Sequence, residues 1–195
     1  MRTKRINKDR SARWSRVCIT VATHIAGWPG TSRRASHGVS LTTVRRVTTA
    51  IDIDAPARDV WDLYADVPHS PDWVPFSEEI LYVSGPPGVG QVYRERTRLL
   101  GISDVAEWRI IEWEPPRRQV QLSTDKSMDA RLVIEVEPLE PFDAGRSRVR
   151  QDAIFESRLP GPVGWAQELV FATVGRRGIT AAVRAAKLHL EGREA

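Results

Sequence analysis

The sequence predicts an α+β domain: an antiparallel sheet packed by its apolar face on one long C-terminal helix, with two short helices after the first strand. Three observations carry this reading. Segments of period-two alternation recur between residues 44 and 157, joined by short turns rich in glycine and proline. They are interrupted once, at Ile51 to Phe76 (IDIDAPARDVWDLYADVPHSPDWVPF), where apolar residues follow helical spacing instead. After the last strand, Val163 to Leu190 reads as helix, and nothing follows that could cover the sheet in its place. A strand, two short helices, a run of strands and a final helix is the order expected of a curved sheet held open at one end by a helical brace.

Val44 to Asp54 is the first strand, with Val47, Thr49, Ile51 and Ile53 on one face and Thr48, Ala50 and Asp52 on the other. Ala55-Pro56 opens a helix, because proline is preorganised for the first helical position; Asp54 or Ala55 sits near the cap, where Asp54 could accept the free N–H groups of the first turn. Val60, Leu63, Tyr64 and Val67 form its apolar stripe, Trp61 stands beside Val60, and Pro68 ends it. Ser70-Pro71-Asp72-Trp73 repeats the start signal, so a second short helix is expected before Pro75. Glu79 to Ser84 is a strand. The glycines of Gly85-Pro86-Pro87-Gly88-Val89-Gly90 invite a phosphate-loop reading, but a strand follows instead of a helix N-terminus, so a hairpin connection is predicted.

Gln91 to Leu100 is the most informative strand. One phase carries Arg94, Arg96 and Arg98; the other carries Tyr93, Glu95, Thr97 and Leu99. Burying three unpaired guanidiniums costs several kcal/mol each. The arginines therefore face water, and Glu95 is the one acid placed on the inner face of the central strands. Ser103 to Trp113 follows with Ala106, Trp108 and Ile110 on one face and Glu107 and Arg109 on the other, where Glu107 can pair with the arginine row. Gln119 to Ser123 is read with Val120 and Leu122 inward. Met128, Ala130, Leu132, Ile134 and Val136 line the inner face of the next strand, and Val149, Gln151, Ala153 and Phe155 that of the last, Ser147 to Ser157. In the terminal helix, Leu169, Ala172, Ile179, Val183, Ala186 and Leu190 form a stripe. Gly175 and Gly178 weaken it by about 1 kcal/mol each relative to alanine, and a kink near Arg176 is expected.

Charge is unevenly distributed. The chain of 195 residues carries a net charge of +4, yet residues 1–40 alone hold nine Lys/Arg and one acid. The remainder is mildly acidic, which argues against a nucleic-acid footprint on the folded part. Residues 1–40 are expected to be a disordered basic extension that could touch anionic surfaces, with the domain spanning 44–192. The apolar run Val17 to Ala26 is diluted by Thr20, Thr23 and His24 and is not read as a signal peptide, so a cytoplasmic location is expected. Cys18 is the only cysteine, which excludes an internal disulfide and a cysteine-built metal site.

Several segments resemble the START/SRPBCC-like superfamily, in particular its polyketide cyclase/dehydrase type. They are Ile53-x-Ala55-Pro56, Val60-Trp61, Ala65-Asp66-Val67, Trp73-x-Pro75, the Gly85 to Gly90 turn, and Trp113-Glu114-Pro115-Pro116-Arg117-Arg118 closing a strand. The resemblance covers about residues 44 to 192. It implies a helix-grip fold, in which a curved sheet wraps the terminal helix and leaves a cavity for a lipid, polyketide or other apolar molecule. It also implies that a cyclase, aromatase or dehydratase activity is possible on the same scaffold.

Candidate site residues follow from the inward phases. Glu95 is a general acid or base candidate, since a carboxyl in an apolar cavity has a raised pKa, and Tyr93 is its partner. Tyr93 and Gln151 could orient a polar group of the ligand, and Thr97 is a further ligand-binding candidate on the same inward phase. Trp73, Phe76, Trp108, Trp165 and Phe171 are aromatic candidates for the cavity wall, joined by Met128, Leu132 and Leu169. His24, His37, His69 and His189 show no metal-ligand spacing, so neither a metal nor another cofactor is expected. No G-x-S-x-G elbow is present.

Overall fold

The computed structural model describes residues 45–99, 101–139 and 145–192. The expectations for residues 1–40 lie outside the described residues. The chain order is β1 (Arg45–Ile53), α1 (Ala57–Ala65), a short 3₁₀ helix (Val67–Asp72), β2 (Ser77–Val83), β3 (Val92–Leu99), β4 (Ile102–Glu114), β5 (Arg118–Thr124), β6 (Met128–Pro138), β7 (Ser147–Ser157) and α2 (Gly161–Leu190). The strands form one antiparallel sheet in the order β1-β7-β6-β5-β4-β3-β2. Only the β1–β7 neighbours are joined across the length of the chain, so the first and last strands meet and bring α1 beside α2.

The brace differs in detail from its sequence reading. Pro56, not Asp54, is the N-cap of α1, and no side chain caps it. Asp54 instead accepts a hydrogen bond from Arg146 Nε at 3.2 Å. The 3₁₀ helix begins at Val67, ahead of Ser70, with Pro68 in its first turn. Proline at that position starts the turn, and Pro71 lies within it.

Two apolar clusters join sheet and helices. One gathers Ile53, Val60, Trp61, Tyr64, Ile134, Val136, Val149, Val183 and Ala186. There Trp113 packs edge-on against Trp61, ring centroids 4.8 Å apart. Trp113 reaches this core because the β4–β5 register shifts between Ile110 and Glu112, and a bulge of this kind re-aims the side chains after it. The other cluster holds Val47, Met128, Ala153, Phe155 and Ile179.

α2 continues unbroken from Gly161 to Leu190, where the glycines had suggested a kink. Gly175 serves a close approach instead: a Cβ there would fall 2.5 Å from the Phe155 ring. The buried stripe also changes along the helix. Ile179, Val183 and Ala186 are buried as expected, but near the N-terminus Gly164, Gln167 and Glu168 take the inner positions. Leu169 is 42% exposed.

The outer face carries the predicted charges. Arg96 pairs with Glu79 and Arg98 with Glu78, both on β2, while Arg94 lies over the Tyr82 ring. Glu107 stands opposite Arg94 in the register. At the other end, Asp152 is only 1% exposed and accepts from Arg46 and Thr48. Burial raises its pKa, but the hydrogen bonds from Arg46 and Thr48 and the charge of Arg150 outweigh burial and hold it below the usual aspartate value.

Candidate ligand-binding cavity

Between the sheet, the α1–3₁₀ brace and α2 lies a cavity of about 110 Å³. Its wall combines Tyr64, Trp73 and Phe76 from the brace with Tyr93 and Glu95 of β3, Gln121 of β5, Leu132 and Ile134 of β6, Gln151 of β7, and Ile179 and Ala182 of α2. The inward phase of β3 is therefore the one the arginines dictated. A cavity engineered to about 150 Å³ holds benzene, so this one suits a group no larger than about one ring.

Of the residues singled out from sequence, Trp73, Phe76, Tyr93, Glu95, Leu132 and Gln151 come together on this wall. Six others do not line it. Met128 and Phe171 belong to the second apolar cluster. Trp108 is half-buried and stands opposite Tyr93 in the β3–β4 register. Thr97 lies one step further along β3, paired with Ser77 and Asp104. Trp165 is 49% exposed at the start of α2 with Arg45 over its ring, and Leu169 lies one turn on at the surface.

The sequence reading missed two glutamines. It turned Val120 and Leu122 inward on β5; the structure turns Gln119 and Gln121 inward, opposite Ile134 and Leu132 of β6. Gln119 is 0% exposed. Buried amides persist only when hydrogen-bonded, and these form a chain. Tyr93 Oη donates to Gln121 Oε1 at 2.5 Å. Gln121 Nε2 donates to Gln119 Oε1 at 3.3 Å, and Gln119 Nε2 donates to the Tyr64 carbonyl at 3.3 Å. Period-two alternation with apolar residues inward is the default for a one-sided sheet. Only the requirement that Tyr93 find a buried partner could have pointed to the other phase.

The remaining polar atoms are less well served. Among the described residues, Tyr64 Oη, Trp73 Nε1 and Gln151 Oε1 are buried without completing a hydrogen bond. Burial raises the Tyr64 pKa, opposed by the neighbouring Gln151 amide. Tyr93 is pushed up by burial and then by the charge of Glu95. Glu95 itself is raised by burial, opposed by the Ser77 hydroxyl. Each of these groups is thus held toward its neutral form.

Glu95 is also not alone. Asp104, in the inward phase of β4 with Ala106 and Trp108, has its pKa raised to about 6, first by burial and further by Asp125, against a backbone N–H from Val105. Its folded pKa lies above its usual value of 3.8, so the fold loses stability as pH rises through that interval. Asp104→Asn removes this loss. The expected result is a urea midpoint that falls less between pH 4 and 6 than that of the parent protein, with the parent carboxyl titrating near pH 6 by NMR.

No group of three or more His, Cys, Asp or Glu among the described residues could hold a metal ion. No helix among them is long and apolar enough to cross a membrane.

The family model for polyketide cyclase / dehydrase and lipid transport matches residues 44–191. No curated protein matches the chain's sequence. Solved structures share the fold. The Zhui aromatase/cyclase from Streptomyces sp. R1128 is 22% identical with a TM-score of 0.65, covering 76% of this chain and 94% of that one. A START superfamily protein from Mycobacterium smegmatis is 16% identical at 0.61, covering 75% and 97%. Norcoclaurine synthase from Thalictrum flavum, in complex with dopamine and hydroxybenzaldehyde, is 15% identical at 0.60, covering 85% and 100%.

Proposed function

Because the chain belongs to the polyketide cyclase / dehydrase and lipid transport family, a START/SRPBCC-like helix-grip group, we propose that it binds a small, largely apolar molecule between the sheet and α2. The observation that carries this reading is the cavity itself: mostly aromatic and aliphatic walls around a few converging polar atoms. The complex of norcoclaurine synthase with dopamine and hydroxybenzaldehyde supports this reading, since that protein has the same fold. A cytoplasmic location is part of the proposal, and cell fractionation tests it.

One observation favours a second reading, an enzyme of the cyclase, aromatase or dehydratase type. Glu95 lines the cavity with a raised pKa, the condition a general acid or base needs near neutral pH. Tyr93 stands beside it as the second candidate.

Glu95→Gln separates these roles. Calorimetric titration should show ligand affinity reduced by roughly two- to tenfold, the effect of one altered hydrogen bond. Under the enzymatic reading, turnover falls far more than affinity. Unchanged affinity together with unchanged turnover would remove Glu95 from the site.

A further inference from the structure

The hydrogen-bond polarity of the cavity is set from outside it, by a backbone carbonyl. The Tyr64 carbonyl can only accept. The Gln119 atom facing it at 3.3 Å is therefore Nε2, which turns Gln119 Oε1 toward Gln121. Gln121 must then present Nε2 to Gln119 and Oε1 to Tyr93. An amide oxygen also accepts only, so the Tyr93 hydroxyl commits its single proton to Gln121. All three side chains are buried. Reversing the chain would set two buried carbonyl oxygens against each other at the α1 end, where burial makes an unpaired acceptor costly.

What Tyr93 has left for the cavity is a lone pair. Gln151 Oε1, a second acceptor among the cavity-lining residues, is likewise without a partner. Two donors, the Tyr64 hydroxyl and the Trp73 indole N–H, are also unpartnered. Donors do not discriminate, because the oxygen of an alcohol, ether or ketone can accept from them. Acceptors do: the Tyr64 hydroxyl lies beside Gln151 and can serve it, which leaves the Tyr93 lone pair as the acceptor that a ligand's O–H or N–H satisfies.

We infer that the cavity selects an uncharged, ring-sized molecule bearing a hydrogen-bond donor, such as a phenol, over ethers and ketones of the same size. Gln119, which does not line the cavity, is the positioning residue that sets this preference. The inference rests on the ligand-binding reading above and adds the ligand's chemistry to it. Size enters through the volume of about 110 Å³, which matches about one ring.

The isomers p-cresol and anisole share one formula and nearly one size, and differ in possessing the O–H. NMR titration of the full chain with each should show p-cresol bound about tenfold more tightly, because anisole leaves a buried acceptor unpaired. Gln119→Met keeps the length of the side chain but releases the relay, and the ratio should collapse to within about threefold. Gln119→Leu, a smaller apolar replacement that also releases the relay, should lower the ratio as well, which covers the case in which Gln119→Met does not fold. Equal binding of the two isomers by the parent protein, at residues of the cavity wall, overturns the inference and leaves the binding reading standing. Binding of neither overturns both. A ratio unchanged in Gln119→Met and Gln119→Leu removes the relay as its cause.

Discussion

Trp61→Ala lowers the stability of the domain by about 3–5 kcal/mol, the range for deleting a buried tryptophan. Trp61 is 2% exposed and sits where α1 meets the sheet and α2. Its ring meets Trp113 edge-on, an arrangement that contributes about 0.5–1.5 kcal/mol beyond the area it buries. The loss cannot be recovered by collapse, because Trp113 is held by the register shift in β4 and Val60 and Tyr64 by the helix. Against a typical total of about 5–15 kcal/mol, the variant should retain a fold but melt at a markedly lower urea concentration. A change under about 1 kcal/mol would mean that the brace contributes little to the core. Because Tyr64 belongs to both the cluster and the cavity wall, ligand binding should weaken along with stability.

Ala182→Phe abolishes ligand binding while leaving the fold in place. Ala182 faces the cavity from α2 and is buried. A phenyl ring there occupies the volume a ring-sized ligand needs. Filling a void favours the variant, while strain from an oversized side chain costs about 1–3 kcal/mol, so the net change in stability should be small beside the loss of binding. Titration of p-cresol followed by intrinsic fluorescence or NMR checks this. Retained affinity would place the ligand elsewhere on the protein.

Much of the fold was legible because its rules are local. The Arg94-Arg96-Arg98 row settles the phase of β3, since three guanidiniums cannot share an apolar interior. The inward series Met128 to Val136 and Val149 to Phe155 settles β6 and β7 in the same way, and the lack of any other cover assigns α2 to the sheet. What stayed illegible depends on partners distant in sequence. Gln119 and Gln121 turn inward because Tyr93 and the Tyr64 carbonyl await them from other elements. Leu169 and Trp165 fit a helical stripe, yet the end of the sheet they meet offers polar partners instead: Glu168 accepts from the Ser157 backbone and Gln167 bonds Ser157 and Ser127. Gly175 read as a weakness of the helix and proves to be the space for Phe155. Asp104 shares the inward alternation of β4 with Trp108 and Ile110, but at the end of a strand alternation alone does not separate a partly buried carboxyl from a solvated one. For the site, the β3 and β7 contributions were visible as inward polar residues, whereas Tyr64 read as part of a helix's apolar stripe.

The central claim is that a small molecule occupies the space between the sheet and α2. The most direct test is a chemical-shift map of the labelled protein titrated with p-cresol, repeated on Ala182→Phe. The account predicts saturable shifts centred on Tyr64, Trp73, Gln121, Ile134 and Gln151 in the parent protein, and none at these residues in the variant. Shifts centred on the exposed Trp165 and Leu169, or equal shifts in both proteins, would contradict it.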